Sequence, residues 1–545
     1  MPGSPATSNA TASEDGVIRG PKRHFQLPEE SLGRVLLRKM IGYGDAVAQV
    51  YPELGRLTVT YRELSQRAAG VALELKERGL KPGDVLVVAT SIVPQFTPVM
   101  AGALLRGVTV APINPGFDSN DLKTLVRDTI QPKLILAEET AASNIRSVCP
   151  DFEVVDINDV CRWLERRDVP LDSAGNVDLE EVAAPDQPDW LEHVAFIMCS
   201  SGTTGLPKGV MMTNRNILYQ LISSSELELK MEPHTISLQY TALFWVSGLF
   251  VQLFSIFNGG RLIVLPRFDE DMIAKAIEEY KVEFTFLAPN SAVALSKAPA
   301  GRRDLSSLQL LAVGGATMDA QTQRMVEGAL GVRVSQWYGM TEVLLAVGCV
   351  SGDSPPQGSV GTVRTNVEAK VVHPESGEVL GPNSEGELCF RSPMVTKGYY
   401  RRPQATAQAL HADGWFHSGD IGYYDENGFF FITDRLKDLI KYRGNHVAPS
   451  ELEGILLTHP AVKEAAVVGV PHQLDQERPR AYVVLQPGAS VTERDLLELV
   501  NCEVADFKRL RGGVRFLNAL PKTATGKVSR RDLRKLAREE APADN

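Results

Sequence analysis

Cysteine is scarce in this sequence, and its spacing limits what the few thiols can do. The chain has six cysteines among 545 residues, and no two of them form a CxxC pair. Widely separated cysteines are typical of buried thiols in a reducing compartment, so neither a disulfide framework nor a zinc site built on cysteine pairs is expected. The six are Cys149, Cys161, Cys199, Cys349, Cys389 and Cys502.

An excess of positive charge is also missing. Lysine and arginine number 57 against 67 aspartates and glutamates, which gives a net charge of −10 at pH 7. This balance argues against nucleic acid as a partner, so an anionic substrate must be bound by local cations. The hydrophobic content of 43% and charged content of 23% are those of a globular protein, and the length predicts several domains or one large and one small domain.

No apolar run is long enough to cross a membrane. The longest, Leu243–Phe257, is interrupted by Ser247, Gln252 and Ser255, which favours a buried helix beside a lipophilic pocket. Residues 1–22 are small and polar and lack an apolar signal region, so we expect a disordered tail. Because the last residues are also not a Ser-Lys-Leu address, we expect an intracellular, cytoplasmic protein.

The first half of the chain alternates between helix and strand patterns. This order predicts an α/β fold with parallel, helix-covered sheets. In the first round, the Thr60–Glu63 capping box begins a helix that ends near Gly79, and the pattern continues with strand Asp84–Val88, helix Gln95–Leu105 and strand Val108–Ala111. The second round comprises helix Met272–Tyr280, strands Phe284–Ala288 and Leu308–Val313, and helix Ala320–Gly328.

The second half changes character twice. Residues 358–390 are rich in strand patterns and glycines, which predicts a small barrel-like β unit. A break follows around Asp434–Asp438. Beyond it we expect a compact α+β unit of roughly 100 residues. Its elements are a short helix capped by Ser450, strands Ala465–Val470 and Ala481–Leu485, and helix Thr492–Val500.

The most unusual segment is the loop from Ser200 to Gly209, which reads SSGTTGLPKG. Its hydroxyls, glycines and lysine are suited to surrounding an anion such as a nucleotide phosphate. It is not a Walker A loop, because Pro207 stands where that pattern has glycine. A short strand over Gly209–Met212 and a helix from about Thr213 are expected to follow. The alternative is a surface turn rich in small residues.

Three further segments stand out downstream: residues 336–342 (QWYGMTE), residues 414–420 (GWFHSGD) and residues 521–527 (PKTATGK). Each has an ordinary structural explanation when taken alone. Trp337 and Tyr338 could fill core, Asp420 could cap a turn, and Lys527 could be a solvated loop lysine. Their order and spacing, together with the 200–208 loop, resemble the adenylate-forming superfamily of acyl-CoA synthetases, coumarate–CoA ligases and beetle luciferases. The resemblance runs from about residue 30 to residue 535.

The resemblance implies a two-step reaction. A carboxylate attacks the α-phosphate of Mg-ATP to give acyl-AMP and pyrophosphate, and a thiol, usually of coenzyme A, then displaces AMP. It also implies a large N-terminal domain of stacked sheets with a small β subdomain over residues 23–434, a hinge at 435–438 and a mobile C-terminal lid domain at 439–545. The expected partners are a small carboxylic acid, ATP and coenzyme A, with the oligomeric state left open and a monomer compatible with the sequence.

The resemblance assigns roles residue by residue. Lys527 would bridge the attacking carboxylate and the α-phosphate, Thr341 would bind the α-phosphate, Glu342 would bind Mg²⁺, and Lys437 would be the hinge residue. The phosphate cradle would be Ser200, Ser201, Gly202, Thr203, Thr204 and Lys208. The adenine and ribose site would be Gly315, Ala316, Gln336, Trp337, Tyr338, Gly339, Asp420 and Arg435. The coenzyme A contacts would be Lys441, Arg443, Gly444 and His446.

The sequence departs from the family pattern in the acyl pocket. Coumarate ligases and luciferases have a histidine where this chain has Trp245, so histidine-dependent roles are not carried over; Trp245 either fills core or gates the pocket. Arg443 and His446 also lie in a stretch that differs from the coumarate-ligase pattern. The apolar lining predicts a lipophilic acid, either a medium- or long-chain fatty acid or an aryl acid. That lining is Trp245, Ser247, Val251, Phe286, Val313, Val343, Leu345 and Ala346.

Three alternatives remain open at this stage. A luciferase-like monooxygenase would oxidise the adenylate instead of passing it to coenzyme A. An adenylation module of a peptide synthetase would need a carrier domain, and fewer than 20 residues follow Lys527. A binding protein without catalysis would keep the fold but not release pyrophosphate, although Lys208, Glu342 and Asp420 are all present.

Overall fold

The computed structural model describes residues 15–165, 168–185, 189–201, 207–225, 234–297, 303–349, 355–443, 445–522 and 528–540. Over these residues the strands form four sheets. The helices are α1 (Leu32–Tyr43), α2 (Tyr61–Glu77), α3 (Phe96–Leu105), α4 (Ser119–Leu122), α5 (Glu139–Val148), α6 (Asp159–Glu165), α7 (Leu179–Val182), α8 (Asn214–Ser223), α9 (Val246–Asn258), α10 (Glu270–Tyr280), α11 (Pro289–Lys297), α12 (Ala320–Leu330), α13 (Pro403–Ala409), α14 (Pro449–Thr458), α15 (Glu493–Glu503) and α16 (Arg530–Glu539).

Two large sheets build most of the chain, and both are mainly parallel, as the βαβ pattern predicts. In the first, the strand order is β7 (Val154–Asp156), β6 (Leu134–Ala137), β4 (Val85–Ala89), β5 (Thr109–Ile113), β8 (Val194–Ser201) and β9 (Pro207–Thr213). In the second, the order is β16 (Thr362–Val363), β15 (Leu344–Gly348), β14 (Val334–Met340), β13 (Leu310–Gly314), β12 (Phe284–Leu287), β10 (Ile236–Gln239), β11 (Arg261–Val264), β2 (Val47–Tyr51) and β3 (Leu57–Thr60).

Helices between the two sheets share one hydrophobic core with both of them. All ten residues of α3 are buried, and α2 packs directly against it. A Cβ on Gly102 would lie 2.5 Å from the Ala68 carbonyl oxygen, so the close crossing of these helices requires glycine there. The other face of the first sheet is covered by α4, the π-helical segment Lys123–Ile130 and α5, and that of the second sheet by α10 to α12, as expected for doubly covered parallel sheets.

A third sheet is antiparallel and contains the predicted β-rich region. Its strands, in order, are β1 (Ile18–Arg19), β17 (Glu368–Val372), β19 (Gly386–Arg391), β20 (Phe416–Tyr424) and β21 (Phe430–Arg435), with β18 (Val379–Leu380) paired to β17. The predicted disordered tail is too long, because Ile18 is fully buried and pairs with Ala369. Residues 1–14 lie outside the described residues.

The chain leaves the third sheet at Arg435 and enters a fourth at Ile440. The fourth sheet has the order β23 (Asn445–Val447), β22 (Ile440–Tyr442), β25 (Gln476–Leu485) and β24 (Val462–His472), with β26 (Val514–Phe516) beside β25. Helices α14, α15 and α16 pack on it, which gives the expected α+β unit. The prediction that Ser450 caps α14 is wrong: Ala448 is the N-cap, and the Ser450 hydroxyl donates to the Thr433 carbonyl.

Two predictions about single helices are confirmed. Thr213 caps α8 through a reciprocal capping box with Asn216, and α9 is a buried helix. Among the helices that the structure describes, none is long and apolar enough to span a membrane.

Candidate active site

The predicted phosphate loop connects two paired strands. Strands β8 and β9 are antiparallel, and Ser200 lies opposite Lys208 in their register. The predicted residues Gly202, Thr203 and Thr204 lie outside the described residues, as do Gly444 and Lys527. The side chains of Ser201 and His446 also lie outside them. The structure therefore shows the two sides of the loop and not its tip.

Four side chains at the base of this loop form a connected group, which we call the phosphate-side cluster: Ser200, Lys208, Glu342 and Tyr399. The Lys208 ammonium lies 4.7 Å from the centre of the Tyr399 ring, over its face. The Tyr399 hydroxyl donates to Glu342 Oε1 at 3.0 Å. Ser200 also hydrogen-bonds the Glu342 carboxylate. Residues that are almost 200 positions apart thus meet at one point.

Main-chain hydrogen bonds fix the position of Tyr399. The Met211 N–H donates to the Gly398 carbonyl, and the Tyr400 N–H donates to the Gly209 carbonyl. The Thr396 N–H donates to the carbonyl of Glu342 at 2.7 Å. The segment 396–400 is therefore held against both β9 and the residues after β14, and Tyr399 is oriented before any ligand binds.

Glu342 has the environment of a carboxylate that is suited to a hard cation. Only 4% of its surface is exposed, and its side-chain partners are the hydroxyls of Ser200 and Tyr399. Burial raises the pKa of this carboxyl group, because the hydrogen bonds only partly offset the loss of hydration. A divalent cation beside it would stabilise the ionised form, and Mg²⁺ prefers carboxylate oxygens.

A second group, which we call the ribose-side cluster, consists of Tyr338, Asp420 and Arg435. The Tyr338 hydroxyl donates to Asp420 Oδ2 at 2.8 Å, and Arg435 Nε lies 3.0 Å from Asp420 Oδ1. Asp420 and Arg435 are cross-strand partners on β20 and β21. Within the described part of the chain, Asp420 Oδ1 is buried and accepts no hydrogen bond. This oxygen is held in the ion pair with Arg435 instead, so part of its hydrogen-bonding capacity is unused.

Strand β14 joins the two clusters, because Tyr338 lies on it and Glu342 follows its end. Its other predicted ligand residues have partners within the protein. The Gln336 amide donates to Gln323 Oε1, and Trp337 donates to the Ser335 hydroxyl and stacks near Phe284. A Cβ on Gly339 would lie 2.2 Å from the Leu344 carbonyl oxygen, so only glycine fits at this irregular point of the pairing between β14 and β15.

The remaining residues predicted to bind the nucleotide differ in their exposure to solvent. Gly315 and Ala316 are exposed directly after β13, where Gly315 has a φ of 83°, and Thr341 is half-buried. Tyr338 has 7% of its surface exposed, and its ring stacks on Phe390 at 5.6 Å. One face of the Tyr338 ring is therefore already covered by the protein.

Most of the predicted acyl-pocket residues lie on elements that meet in the main core. Val313 is an exception: it packs with α10 to α12 on the other face of the second sheet, so its predicted place in the pocket is wrong. Trp245 is half-buried at the start of α9, and Phe286 packs near Trp337 with ring centres 6.4 Å apart. Ser247 and Leu345 are also half-buried, whereas Val251, Val313, Val343 and Ala346 are buried. Gln220 on α8 accepts a hydrogen bond from the Leu345 N–H, which adds a polar group to this region that was not predicted.

Tyr399 and Gln220 are the residues that sequence reasoning missed. Tyr399 lies almost 60 positions from Glu342 and has no spacing signal that links the two. The only local sign is the segment KGYY, in which a glycine precedes two tyrosines. The pairing becomes visible only when segment 396–400 is placed against β9.

The Tyr399 hydroxyl provides a test of the phosphate-side cluster. We expect Tyr399→Phe to lower the rate of ATP-dependent turnover about 10-fold, because a hydrogen bond to a charged group contributes about 1.5 kcal/mol or more. The ring over Lys208 is retained. Tyr400→Phe is the matched control and should have wild-type kinetics. Equal kinetics of the two variants would show that this hydroxyl has no role in turnover.

Known proteins resemble the chain over nearly its whole length. The AMP-binding enzyme family matches residues 38–400, and its C-terminal domain matches residues 451–527. A luciferin 4-monooxygenase of Nipponoluciola cruciata is 34% identical over 97% of this chain and 98% of its own length. A probable 4-coumarate–CoA ligase 1 of Dictyostelium discoideum is 33% identical over 93% and 95%. The solved structure of ATP-bound MatB from Rhodopseudomonas palustris covers 92% of this chain and 98% of its own, at 26% identity and a TM-score of 0.82.

Fold, clusters and relatives together define the class of protein, which is an adenylate-forming enzyme. The chain belongs to the AMP-binding enzyme family of the ANL superfamily, and coumarate–CoA ligases and luciferases are among its relatives. The predicted fold class and superfamily are therefore confirmed.

Proposed function

We propose that this chain is an ATP-dependent carboxylate–CoA ligase that activates a lipophilic fatty or aryl acid through an acyl-AMP intermediate. The observation that carries the proposal is the pair of clusters on either side of β14. One places a lysine and a buried glutamate beside the phosphate loop. The other places a buried aspartate in an ion pair with an arginine, and among the described residues one oxygen of this aspartate accepts no hydrogen bond. The first set of groups suits the triphosphate of a nucleoside triphosphate, and the second suits its ribose.

The first step must overcome repulsion between two anions. A carboxylate oxygen attacks the α-phosphorus, the bond from that phosphorus to the bridging oxygen breaks, and pyrophosphate leaves with the bond electrons. Like charges at contact distance repel by several kcal/mol at an effective dielectric constant of about 20. Lys208 and the hydroxyls of the loop would hold the β- and γ-phosphates, and Thr341 would donate to the α-phosphate. Lys527 would lie between the two reacting groups.

Glu342 is the proposed ligand of Mg²⁺. When bound, Mg²⁺ neutralises charge on the phosphate oxygens and on the leaving pyrophosphate. Tyr399 and Ser200 would orient the Glu342 carboxylate toward the phosphates by occupying part of its hydrogen-bonding capacity. Glu342 would therefore act as a preset ligand whose position does not depend on the nucleotide.

Asp420 and Arg435 would anchor the nucleoside. Asp420→Asn keeps the shape of the side chain and removes its charge, so we expect the KM for ATP to rise by about 10- to 100-fold, the equivalent of one or two charge-assisted hydrogen bonds. Steady-state kinetics at varied ATP measure this. Glu426→Gln, an exposed change at the turn between the same two strands, is the control. A KM that is unchanged in Asp420→Asn would remove Asp420 from the nucleotide site.

In the second step, the thiolate of coenzyme A attacks the acyl carbon, and the carbon–oxygen bond to AMP breaks. Lys441, Arg443, Gly444 and His446 are the proposed contacts for the coenzyme. Arg443 Nε lies 2.5 Å from Asp475 Oδ1, and Asp475 is fully buried and also accepts from Arg478. The Arg443 guanidinium stays 60% exposed, so it is anchored and still available to an anionic ligand.

The change between the two steps would occur at residues 435–438, between a large domain at 23–434 and a lid domain at 439–545. Arg435 is bound to Asp420 on one side of this segment. On the other side, Asp438 Oδ1 accepts from Arg534 of α16 at 3.0 Å. Lys437 lies between these two anchors and is therefore the proposed pivot.

A panel of acids tests the proposed activity. The purified chain is incubated with ATP, Mg²⁺, coenzyme A and carboxylic acids of varied length and aromaticity, and AMP and acyl-CoA are measured. We expect AMP and thioester in equal amounts with at least one lipophilic acid, and weaker activity with short polar acids. AMP without thioester would contradict the CoA ligase assignment, and a preference for small polar acids would contradict the proposed substrate class.

A luciferase-like oxidation is the second candidate, and it is favoured by the 34% identity to a luciferin 4-monooxygenase. Such an enzyme would form the luciferyl adenylate and oxidise it with O₂ to an oxidised luciferin, with release of AMP, CO₂ and light. Photon counting with ATP, Mg²⁺ and luciferin distinguishes this activity from thioester formation in the same preparation.

A further inference from the structure

A cysteine, a histidine and a glutamate meet at the edge of two paired strands in the third sheet. Cys389 on β19 is the register partner of His417 on β20, and the ladder is irregular between Glu387 and Cys389. Glu387 lies two residues before Cys389 on β19, so the two side chains are on the same face of the sheet. Cys389 Sγ lies 3.5 Å from His417 Nδ1, and the same nitrogen lies 2.9 Å from Glu387 Oε2. The three ligand atoms all lie within 4.8 Å of one another.

These separations suit the coordination of one metal ion. With a zinc–sulfur bond of about 2.3 Å and a zinc–nitrogen bond of about 2.0 Å, tetrahedral geometry separates the two donors by roughly 3.5 Å. The sulfur and the imidazole nitrogen already stand at that separation. The 2.9 Å between the glutamate oxygen and the imidazole nitrogen would need to widen by a few tenths of an ångström, because tetrahedral oxygen and nitrogen ligands stand roughly 3.3 Å apart. The sulfur and the glutamate oxygen lie within 4.8 Å of each other and would stand roughly 3.6 Å apart as tetrahedral ligands.

The surroundings also favour a cation. Cys389 is fully buried, while Glu387 and His417 keep 12% and 23% of their side chains exposed, so an ion can enter from the histidine side. The ring of His411 lies 4.0 Å from the ring of His417 and offers the nearest further imidazole. Glu387 Oε1 accepts from the Gly419 N–H at 2.9 Å, which fixes the carboxylate and leaves Oε2 directed at the histidine.

We propose that Glu387, Cys389 and His417 form a site for a thiophilic divalent cation, with Zn²⁺ as the preferred ion. Binding requires the Cys389 thiol to lose its proton to solvent, while His417 binds in its neutral form through Nδ1. The thiolate donor makes this site different from the oxygen site proposed at Glu342, because soft ligands select zinc over magnesium. The zinc site does not depend on the proposed ligase function.

Cobalt is the probe, because a cobalt–thiolate bond gives a charge-transfer absorption that is absent without sulfur coordination. The full chain, free of nucleotide, is titrated with Co²⁺ in a large excess of Mg²⁺. We expect one equivalent to bind with this absorption, and Zn²⁺ to displace it. In Cys389→Ser the absorption should be lost, and the affinity should fall at least about 100-fold, since even outer-sphere changes at metal sites cost 10- to 100-fold. Cys502→Ser, at an exposed cysteine, is the matched control.

Cys389 packs with Val17, Val372 and Trp415 in a small core cluster, so its replacement could disturb the fold. A second variant, at His417, therefore tests the site without changing this cluster. In His417→Gln, which changes a half-buried side chain, Zn²⁺ should no longer raise the thermal unfolding temperature as it does in the wild type. The affinity for Zn²⁺ should also weaken as the pH falls, since protons compete for the thiolate. An absence of charge-transfer absorption in the wild type, its persistence in Cys389→Ser, or its loss in Cys502→Ser would overturn the proposal.

Discussion

Replacing Lys527 with alanine is expected to lower the rate of acyl-AMP formation by about 10²- to 10³-fold, the usual cost of removing one group that stabilises transition-state charge. The same change should leave thioester formation from supplied acyl-AMP close to the wild-type rate. The reason is that repulsion between the carboxylate and the α-phosphate exists only in the first step. In the second step the attacked carbon already belongs to the mixed anhydride of the acid and AMP, so the thiolate attacks an activated acyl group.

Two separate assays measure this split. Pyrophosphate release with ATP and acid reports the first step, and acyl-CoA formation from synthetic acyl-AMP reports the second. Lys522→Ala is the matched control, because Lys522 lies five residues away and its ammonium pairs with Glu464 at 3.1 Å. Equal losses in both half-reactions would show that Lys527 does not have the bridging role.

Glu342→Gln should have the second largest effect, a loss of about 10²- to 10³-fold in the adenylation rate with a large rise in the Mg²⁺ concentration needed for half-maximal activity. Glutamine preserves the side-chain volume and can still accept from Tyr399, so the fold should be retained. Circular dichroism and thermal unfolding check that retention. A normal Mg²⁺ dependence in the variant would exclude Glu342 as a metal ligand.

The pH profile gives an independent check of the same residue. Burial raises the pKa of the Glu342 carboxyl, so the group takes up a proton at a higher pH than an ordinary glutamate does. As the pH falls through that raised pKa, the ionised form that binds Mg²⁺ is lost, and the apparent Mg²⁺ affinity should fall with it. Saturating Mg²⁺ should move this loss to lower pH, because the cation stabilises the carboxylate. Glu342→Gln should lack this acid-side dependence.

The sequence predicts the fold well where local chemistry decides it. The Thr60 and Thr213 capping boxes, the mostly apolar α3 and the alternation of strand and helix all have their cause in neighbouring residues. The prediction that Ile18 lies in a disordered tail is wrong because its burial depends on pairing with Ala369, about 350 positions away. The prediction that Ser450 caps its helix is wrong because its hydroxyl donates to the Thr433 carbonyl of β21 instead.

The site shows the same division between local and distant causes. Asp420, Glu342 and Lys208 lie in short segments with unusual composition, so they could be found without a structure. Tyr399 and the register of Cys389 with His417 depend on how distant strands meet, and no spacing in the chain encodes that. The same holds for the buried Asp475, which anchors Arg443 through a contact across a turn between strands.

Helix α16 pairs with two acidic residues elsewhere in the chain, so its removal should lower the stability of the protein. Its Arg534 binds Asp438, and its Arg530 makes two hydrogen bonds to the carboxylate of Glu453. A truncation or proteolytic nick before residue 530 would leave both acidic groups without these partners in a mostly buried position, where an unpaired charge is costly. The last described helix therefore supplies the positive partners of Asp438 and Glu453, and we expect shortened versions of the chain to unfold more readily.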